Sequence, residues 1–206
     1  MLLFAGDAAL GSDAEAQMFE RWLAGLPITG PKVMTWGNMD TVTKGNPTDP
    51  QRLPSATLIV DAIKEVNGYR IFGSPWSLRF AGAYQLDHDA LQLEAFWAKL
   101  LPPDSDVDII LTHGPPFGVA DKTRGKNRGD RGLLRAVQDL VKPPLMWVTG
   151  HIHEQYGEHR VPHPKVPEGI PLVNAAAFYA QYPEHKAKVQ PKRYQLPEVK
   201  LLKDEL

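Results

Sequence analysis

The stretch Leu145-Met146-Trp147-Val148-Thr149-Gly150-His151-Ile152-His153 begins as an apolar run and ends in two histidines. The run from Leu145 to Val148 is typical of a short buried strand. Because alternate residues of an extended chain face the same side, the imidazoles of His151 and His153 can address one site. A single histidine at a strand end is more often a hydrogen-bonding residue than a ligand. Two histidines on one side therefore predict a metal site more strongly than one histidine does.

The same arrangement of an apolar run followed by a metal-capable side chain occurs at three further places. These runs end in Gly6-Asp7, Gly37-Asn38 and Thr112-His113. In open α/β sheets, ligands bind outside the carboxyl ends of the strands, so side chains that are distant in sequence can converge there. The predicted metal-binding set is Asp7, Asn38, His113, His151 and His153. Imidazole nitrogens together with hard oxygens suit manganese, iron or zinc.

The composition excludes several other classes of protein. A chain of 206 residues suits a single domain, since single cores usually stop growing beyond about 250 residues. The net charge of -1 lacks the basic excess of nucleic-acid binders. No apolar stretch approaches the roughly 18 residues of a membrane span, and no signal peptide is visible. With no cysteine, disulfides, thiolate ligands and a cysteine nucleophile are excluded. Neither nucleic acid nor a membrane is a predicted partner.

Apolar runs alternate with helical patterns, which predicts an α/β fold. Asp13 is the expected cap of a first helix, and Asp89 that of a second. The predicted apolar face of the first helix consists of Ala14, Met18, Trp22 and Leu26. Asn67-Gly68 tolerates positive φ and predicts a hairpin of antiparallel strands. A last strand is expected from Pro171 to Asn174.

The C-terminal segment, residues 177–206, has the composition of a polar tail. Its last four residues, Lys203-Asp204-Glu205-Leu206, spell an endoplasmic-reticulum retrieval signal. Such a signal acts only on a protein that has entered the lumen. Because no entry signal is visible, we expect the match to be coincidental and the protein to be cytoplasmic.

Four segments, in this order, resemble four of the five motifs of the calcineurin-like metallophosphoesterases. They are Gly6-Asp7, Gly37-Asn38-Met39-Asp40, Thr112-His113-Gly114-Pro115-Pro116 and Gly150-His151-Ile152-His153. Three further stretches resemble the small metallophosphoesterase-domain-containing proteins of the fetal-brain type. They are Gly68 to Trp76, His151 to Gly157 and Val173-Asn174-Ala175. The resemblance extends from the first residues to about Ala176.

This resemblance implies a four-layer α/β sandwich of mixed sheets flanked by helices, with two metals and a bridging water that attacks phosphorus. Asp7 would bridge both metals. Asn38, His113 and His151 would complete one site, whereas His153 would belong to the other. The implied activity is that of a phosphodiesterase or phosphomonoesterase acting on small phosphate esters, a nucleotide among them.

One departure from the family pattern concerns its first motif, an Asp-x-His that should stand well upstream of Asp7. It is not visible, so we expect an N-terminally truncated domain, with a genuine short form of altered function as the alternative. Either would lack the first strand and expose a strand edge or apolar surface. The second metal site would then keep His153 and the shared Asp7, fewer than the three ligands typical of catalytic metal sites. One well-furnished site and one weak site are the expected outcome.

A second departure is Met39, which stands where the family has a histidine that protonates the leaving oxygen, with Asp40 as its orienting neighbour. Methionine cannot donate a proton, and loss of a general acid costs on the order of 10²–10⁴-fold in rate. His88 is one replacement donor that the sequence leaves open. The alternatives are thus an impaired phosphoesterase, least impaired toward good leaving groups, and a catalytically silent protein that binds metal or nucleotide.

The basic loop that holds Lys122, Arg124, Lys126, Arg128 and Arg131 is open to two interpretations. It could attract an anionic substrate to the metal face. Because Asp121 and Asp130 are interleaved with the cations, an ordinary solvated loop is the alternative.

Overall fold

The computed structural model describes residues 1–43, 45–87, 89–177 and 193–196. His88, the replacement donor left open by the sequence, lies outside these residues. The Lys203-Asp204-Glu205-Leu206 signal and most of the predicted polar tail lie outside them as well.

The described residues form short strands and three helices in an alternating order. In chain order these are β1 Leu2–Ala5, α1 Asp13–Ala24, β2 Lys32–Thr35, β3 Thr57–Leu58, β4 Ala62–Val66, β5 Tyr69–Ser74, β6 Ser77–Leu78, β7 Gln85–Leu86, α2 Ala90–Leu100, β8 Ile109–Thr112, β9 Lys122–Thr123, β10 Lys126–Asn127, α3 Arg131–Gln138, β11 Met146–Thr149, β12 Gly157–His163 and β13 Val166–Asn174. Two short 3₁₀ turns cover Thr41–Thr43 and His153–Gln155.

Most of the strands belong to two sheets. The smaller sheet has the strand order β1-β2-β3 and is parallel. The larger sheet has the order β12-β13-β11-β8-β5-β4. Its four inner strands run parallel, whereas β12 and β4 at the edges are antiparallel to their neighbours. The larger sheet is therefore mixed, as predicted, and the smaller one is not.

Three apolar clusters separate the layers. Val33 of the smaller sheet packs in one cluster with Ile109 and Val148 of the larger sheet. A second cluster places Ala16 and Phe19 of α1 against the smaller sheet. The third cluster joins α2 and α3 to the other face of the larger sheet; it includes Phe72, Leu93, Trp97, Ile110, Leu133, Val137 and Trp147. The layers thus follow the order helix, sheet, sheet, helices, which confirms the four-layer sandwich.

The first helix differs from its prediction in both cap and face. Ser12, not Asp13, is the N-cap: its hydroxyl accepts from the backbone N–H of Glu15, whose carboxylate in turn accepts from that hydroxyl. The buried residues of the helix are Ala16 and Leu23, whereas Met18 is 58% exposed and Trp22 51% exposed. A strict four-residue spacing drifts around a helix of 3.6 residues per turn, so it marked the wrong side.

Two hairpins flank the larger sheet. Val66 pairs with Tyr69 across Asn67 and Gly68, which have φ of 55° and 80°. Positive φ at both central residues is the type I′ geometry, and the predicted hairpin is confirmed. The second hairpin joins β12 to β13. The sequence patterns did not predict it. Its edge strand contains Pro162 at an irregularity between Val161 and His163, and proline is tolerated at such places.

Strand β1 lies at an edge of the smaller sheet and pairs with β2 alone among the described residues. Met18 and Trp22 are exposed on the neighbouring helix α1. That the domain is N-terminally truncated and lacks its first strand stays a prediction. In the part of the chain that the structure describes, no helix is both long and apolar enough to cross a membrane.

Candidate metal centre

Four strands of the two sheets end at a common edge of the sandwich. Asp7 follows β1, Asn38 follows β2, His113 follows β8 and His151 follows β11. The potential ligand atoms of Asp7, His113 and His151 all lie within 4.8 Å of one another. Packing of the two sheets therefore brings together side chains that are as much as 144 residues apart in sequence, 151 minus 7.

Asn38 lies at the centre of this group. Its Oδ1 is 2.9 Å from Nε2 of His113 and 2.9 Å from Nδ1 of His151. Its Nδ2 donates to the carbonyl oxygen of Ala81 at 3.0 Å, which fixes the orientation of the amide. The Oδ1 of Asp7 is 3.4 Å from Nε2 of His113. Four of the five predicted ligands thus form one cluster, which we call the strand-end cluster: Asp7, Asn38, His113 and His151.

The hydrogen bond made by Nδ1 determines the tautomer of His113. Its Nδ1 lies 2.8 Å from the carbonyl oxygen of Ala5. Because a carbonyl oxygen can only accept, Nδ1 carries the proton, and in the neutral ring Nε2 presents a lone pair. That lone pair faces the amide oxygen of Asn38 and the carboxylate of Asp7, which are acceptors too. Hydrogen bonding of the remote ring nitrogen to a backbone carbonyl is a usual feature of metal-binding histidines.

The donor set fits a divalent cation. Acceptor atoms facing one another repel unless a proton or a cation lies between them. Protons on Nε2 of His113 and on Nδ1 of His151 would satisfy these contacts one ring at a time, whereas a single cation between the groups would satisfy all of them together. Protein ligands about 2.0 to 2.2 Å from one ion, in octahedral or tetrahedral arrangement, stand roughly 2.8 to 3.6 Å from each other, which matches the 2.9 Å and 3.4 Å separations seen here. Carboxylate, amide oxygen and imidazole together do not single out one metal.

His151 is held in its neutral form. Burial, reinforced by the neighbouring His113 and His153, lowers the pKa of His151 to about 3. The rings of His113 and His151 lie 4.9 Å apart, centroid to centroid, in an edge-to-face arrangement. A neutral imidazole keeps the lone pair that metal binding needs, so His151 requires no deprotonation near neutral pH.

The backbone is strained where the cluster is assembled. Asp7 has φ of 63° and His151 has φ of 65°, in the left-handed region that non-glycine residues seldom adopt. Such strain is common at functional sites. Gly37 is required for a different reason: a Cβ at this position would lie 2.3 Å from Oδ1 of Asp7 and 2.6 Å from Cε1 of His113.

Asp40 is a fully buried hydrogen-bond acceptor beneath the cluster. Its carboxylate accepts from the backbone N–H groups of Asp7, Leu10 and Gly37 at 2.8 to 3.2 Å. Burial raises the pKa of Asp40 to about 6; the hydrogen bond from Gly37 opposes this shift and the charge of Asp7 adds to it. The carboxylate thus ties the loop after β1 to the loop after β2. The role predicted for it, orienting residue 39, stays a prediction.

Met39 and His153 border the strand-end cluster. The backbone N–H of Met39 donates to Oδ1 of Asp7 at 2.8 Å, and the Met39 side chain is 49% exposed. His153 begins the 3₁₀ turn after β11 and is not one of the grouped ligands. Burial lowers the pKa of His153, whereas the charges of Asp7 and Glu154 oppose that shift. His153 therefore lies within electrostatic reach of Asp7 but outside the cluster.

The basic loop contains the hairpin β9–β10, which we call the basic hairpin, residues 122–128. Thr123 of this hairpin donates to Glu154, next to His153, at 2.5 Å. Asp121 and Asp130 are both buried. The carboxylate of Asp121 accepts from the backbone N–H groups of Gly118 and Gly129. The carboxylate of Asp130 accepts from the indole N–H of Trp97. The two carboxylates are therefore absent from the surface of the loop. The exposed cations are Lys122, Arg124, Lys126, Arg128 and Arg131.

The four-layer architecture and the strand-end cluster define the metallophosphoesterase class. The family model for Calcineurin-like phosphoesterase matches residues 1–155, about three quarters of the chain. The human and mouse proteins called Metallophosphoesterase domain-containing protein 1 are each 34% identical to it over 185 residues, 76% of this chain and 55% of theirs. A UPF0046 protein of Caenorhabditis elegans is 34% identical over 117 residues, 56% of this chain and 28% of its own.

The chain belongs to the calcineurin-like phosphoesterase family. The resemblance read from the four motifs is thereby confirmed. The matched family is one of phosphoesterases, enzymes that act on phosphate esters. The chain spans about half the length of the human and mouse relatives that it matches.

Proposed function

We propose that this protein is a metal-dependent phosphoesterase that hydrolyses small phosphodiesters or phosphomonoesters. The observation that supports this most strongly is the strand-end cluster, in which three acceptor groups face one another around His113 Nε2 at 2.9 Å and 3.4 Å. The residues proposed to hold the metal are Asp7, Asn38, His113 and His151. Manganese, iron and zinc all suit this donor set. His153 is proposed as part of a second, weaker site that shares Asp7.

When bound, a divalent cation would supply an activated water and neutralise charge on the phosphate. The protein supplies the geometry. Asp7 is fixed by the N–H of Met39 at 2.8 Å, and Asn38 is fixed by its bond to Ala81. His113 is aimed by Ala5. A donor set held in this way needs little reorganisation when charge develops on the transferring phosphoryl group.

The positive charge of the basic hairpin favours an anionic substrate. Its exposed cations stand on a segment joined through Glu154 to the turn that holds His153. Asp121 and Asp130, which are interleaved with the cations in sequence, are buried in other hydrogen bonds. A positive surface beside the reaction site raises the local concentration of phosphate esters. A nucleotide is one such ester, and its charge suits this surface.

Low activity is the expected consequence of Met39. Its side chain has no proton to give to the leaving oxygen, and it is exposed next to Asp7. Esters with good leaving groups need no such proton and should be hydrolysed best. The same observation favours the second candidate, a catalytically silent protein that binds metal or nucleotide through this cluster.

Hydrolysis of bis(p-nitrophenyl) phosphate with manganese separates the two candidates. We expect turnover that disappears on removal of metal and falls at least about 100-fold in Asp7→Asn, which removes a charged ligand. The exposed variant Asp104→Asn, in the loop after α2, is the matched control and should retain full activity. Manganese binding without any turnover would favour the silent candidate, and turnover that survives Asp7→Asn would contradict the proposed metal site.

A further inference from the structure

Phe80 is an aromatic side chain that core packing does not explain. It is 79% exposed. The centroid of its ring lies 6.1 Å from that of His151, with the ring planes at 80°. A lone exposed apolar residue on a protein surface needs no explanation. An aromatic ring in contact with the strand-end cluster is different, because it stands beside the place where a substrate would bind.

The loop that carries Phe80 is fastened to the centre of the cluster. Asn38 donates through Nδ2 to the carbonyl of Ala81 at 3.0 Å, and the N–H of Ala83 donates to the carbonyl of Asn38 at 2.8 Å. Between them, Gly82 approaches so closely that a Cβ would lie 2.0 Å from that carbonyl oxygen. The N–H of Phe80 itself donates to the side chain of Gln85. The ring is therefore held next to the cluster by backbone contacts, with its side chain left open to solvent.

A second exposed apolar side chain is anchored to the same place. Met39 directly follows Asn38, and its N–H donates to Asp7 at 2.8 Å. Its side chain is 49% exposed. Phe80 and Met39 thus both present apolar surface from segments attached to Asn38. Polar ligand atoms bordered by a few apolar side chains are the usual make-up of a small-molecule site.

We infer that Phe80 determines substrate specificity: its open ring face receives a flat aromatic group of the phosphate ester while the phosphate contacts the strand-end cluster. This inference rests on the proposed function. The substrate class that it selects is aromatic phosphate esters in preference to alkyl esters. Stacking of one aromatic group on a protein ring contributes about tenfold to a hundredfold in affinity.

The test is binding of two phosphonates that cannot be hydrolysed, phenylphosphonate and methylphosphonate, to the manganese-loaded protein by calorimetry. We expect the unmodified chain to bind phenylphosphonate about tenfold or more tightly than methylphosphonate. Phe80→Ala should abolish this ratio and leave methylphosphonate affinity unchanged, and Phe80→Trp should retain it. Leu91→Ala, which removes another apolar side chain that is 80% exposed, is the matched control and should behave as the unmodified chain.

The possible outcomes separate this inference from the proposed function. The role of Phe80 is overturned if the ratio of phenylphosphonate to methylphosphonate affinity is the same in the unmodified chain and in Phe80→Ala. It is also overturned if Phe80→Ala weakens binding of both phosphonates equally. A preserved phenyl preference in a protein that hydrolyses no ester supports Phe80 and contradicts the proposed function alone. Hydrolysis without any phenyl preference supports the proposed function and contradicts the role of Phe80. Failure to bind either phosphonate contradicts both the proposed function and the role of Phe80.

Discussion

His113 donates from Nδ1 to the carbonyl oxygen of Ala5 at 2.8 Å, across 108 residues of sequence. Ala5 is the last residue of β1 in the smaller sheet, and His113 follows β8 of the larger sheet. This bond joins the two sheets at the edge where the strand-end cluster forms. It also aims Nε2 of His113 at Asn38. The same contact between the two sheets thus also orients His113 for the metal binding proposed above.

Gly37→Ala should weaken metal binding. The added Cβ would lie 2.3 Å from Oδ1 of Asp7, 2.5 Å from the backbone nitrogen of Asp7 and 2.6 Å from Cε1 of His113, so both side chains and the loop after β1 must move. We expect manganese affinity to fall about tenfold to a hundredfold, as when a supporting residue of a metal site is lost. Calorimetric titration measures this. Gly45→Ala, with no atom within 4 Å of the added Cβ, should change nothing; equal affinities in both variants would refute the steric argument.

Asp40→Asn should destabilise the fold. The carboxylate accepts from three backbone N–H groups in a fully buried place, and an amide nitrogen there would face donors. Leaving such groups unsatisfied costs about 2 to 4 kcal/mol. The melting temperature of a chain of 206 residues should then fall by about 5 to 12 °C. Asp139→Asn, at an exposed salt bridge with Arg135, should stay within about 0.5 kcal/mol. Similar melting temperatures for both variants would show that the hydrogen bonds of Asp40 to the loops after β1 and β2 do not stabilise the fold.

Met39→His should raise activity toward poor leaving groups. Met39 is 49% exposed beside Asp7, so a histidine fits without repacking a core. If it supplies a proton to the leaving oxygen, kcat for an alkyl phosphate ester should rise by about 10²-fold or more, whereas nitrophenyl esters gain less. Met39→Leu controls for the change of size. Equal gains for both ester types would speak against proton donation.

Sequence alone predicted those features that depend on local signals. The turn at Asn67-Gly68 and the cap at Asp89 are examples: the first has positive φ at both residues, and the second accepts from the N–H of Gln92. The ends of the apolar runs also located Asp7, Asn38, His113 and His151 at one edge, because the carboxyl ends of parallel strands meet there. The family motifs added the order of the layers.

Contacts between distant backbone groups could not be predicted in this way. Asp40 accepts from residues 33 and 30 positions away, and nothing in its sequence neighbourhood marks those partners. Phe80 was overlooked because its place depends on the close approach of Gly82 to Asn38. The available signal was a glycine two residues after an aromatic residue. Strand β12 was hidden by charged residues and Pro162.

Manganese binding tests the central proposal most directly. Protein stripped of metal with a chelator is titrated calorimetrically, beside His113→Ala and the control His159→Ala, a histidine that bonds Gln155 outside the cluster. We predict about one tightly bound equivalent per chain, affinity at least about 100-fold weaker in His113→Ala, and unchanged binding in His159→Ala. Equal manganese binding by His113→Ala and the unmodified chain would contradict the strand-end cluster as the metal site, and two tight equivalents would contradict a single well-furnished site.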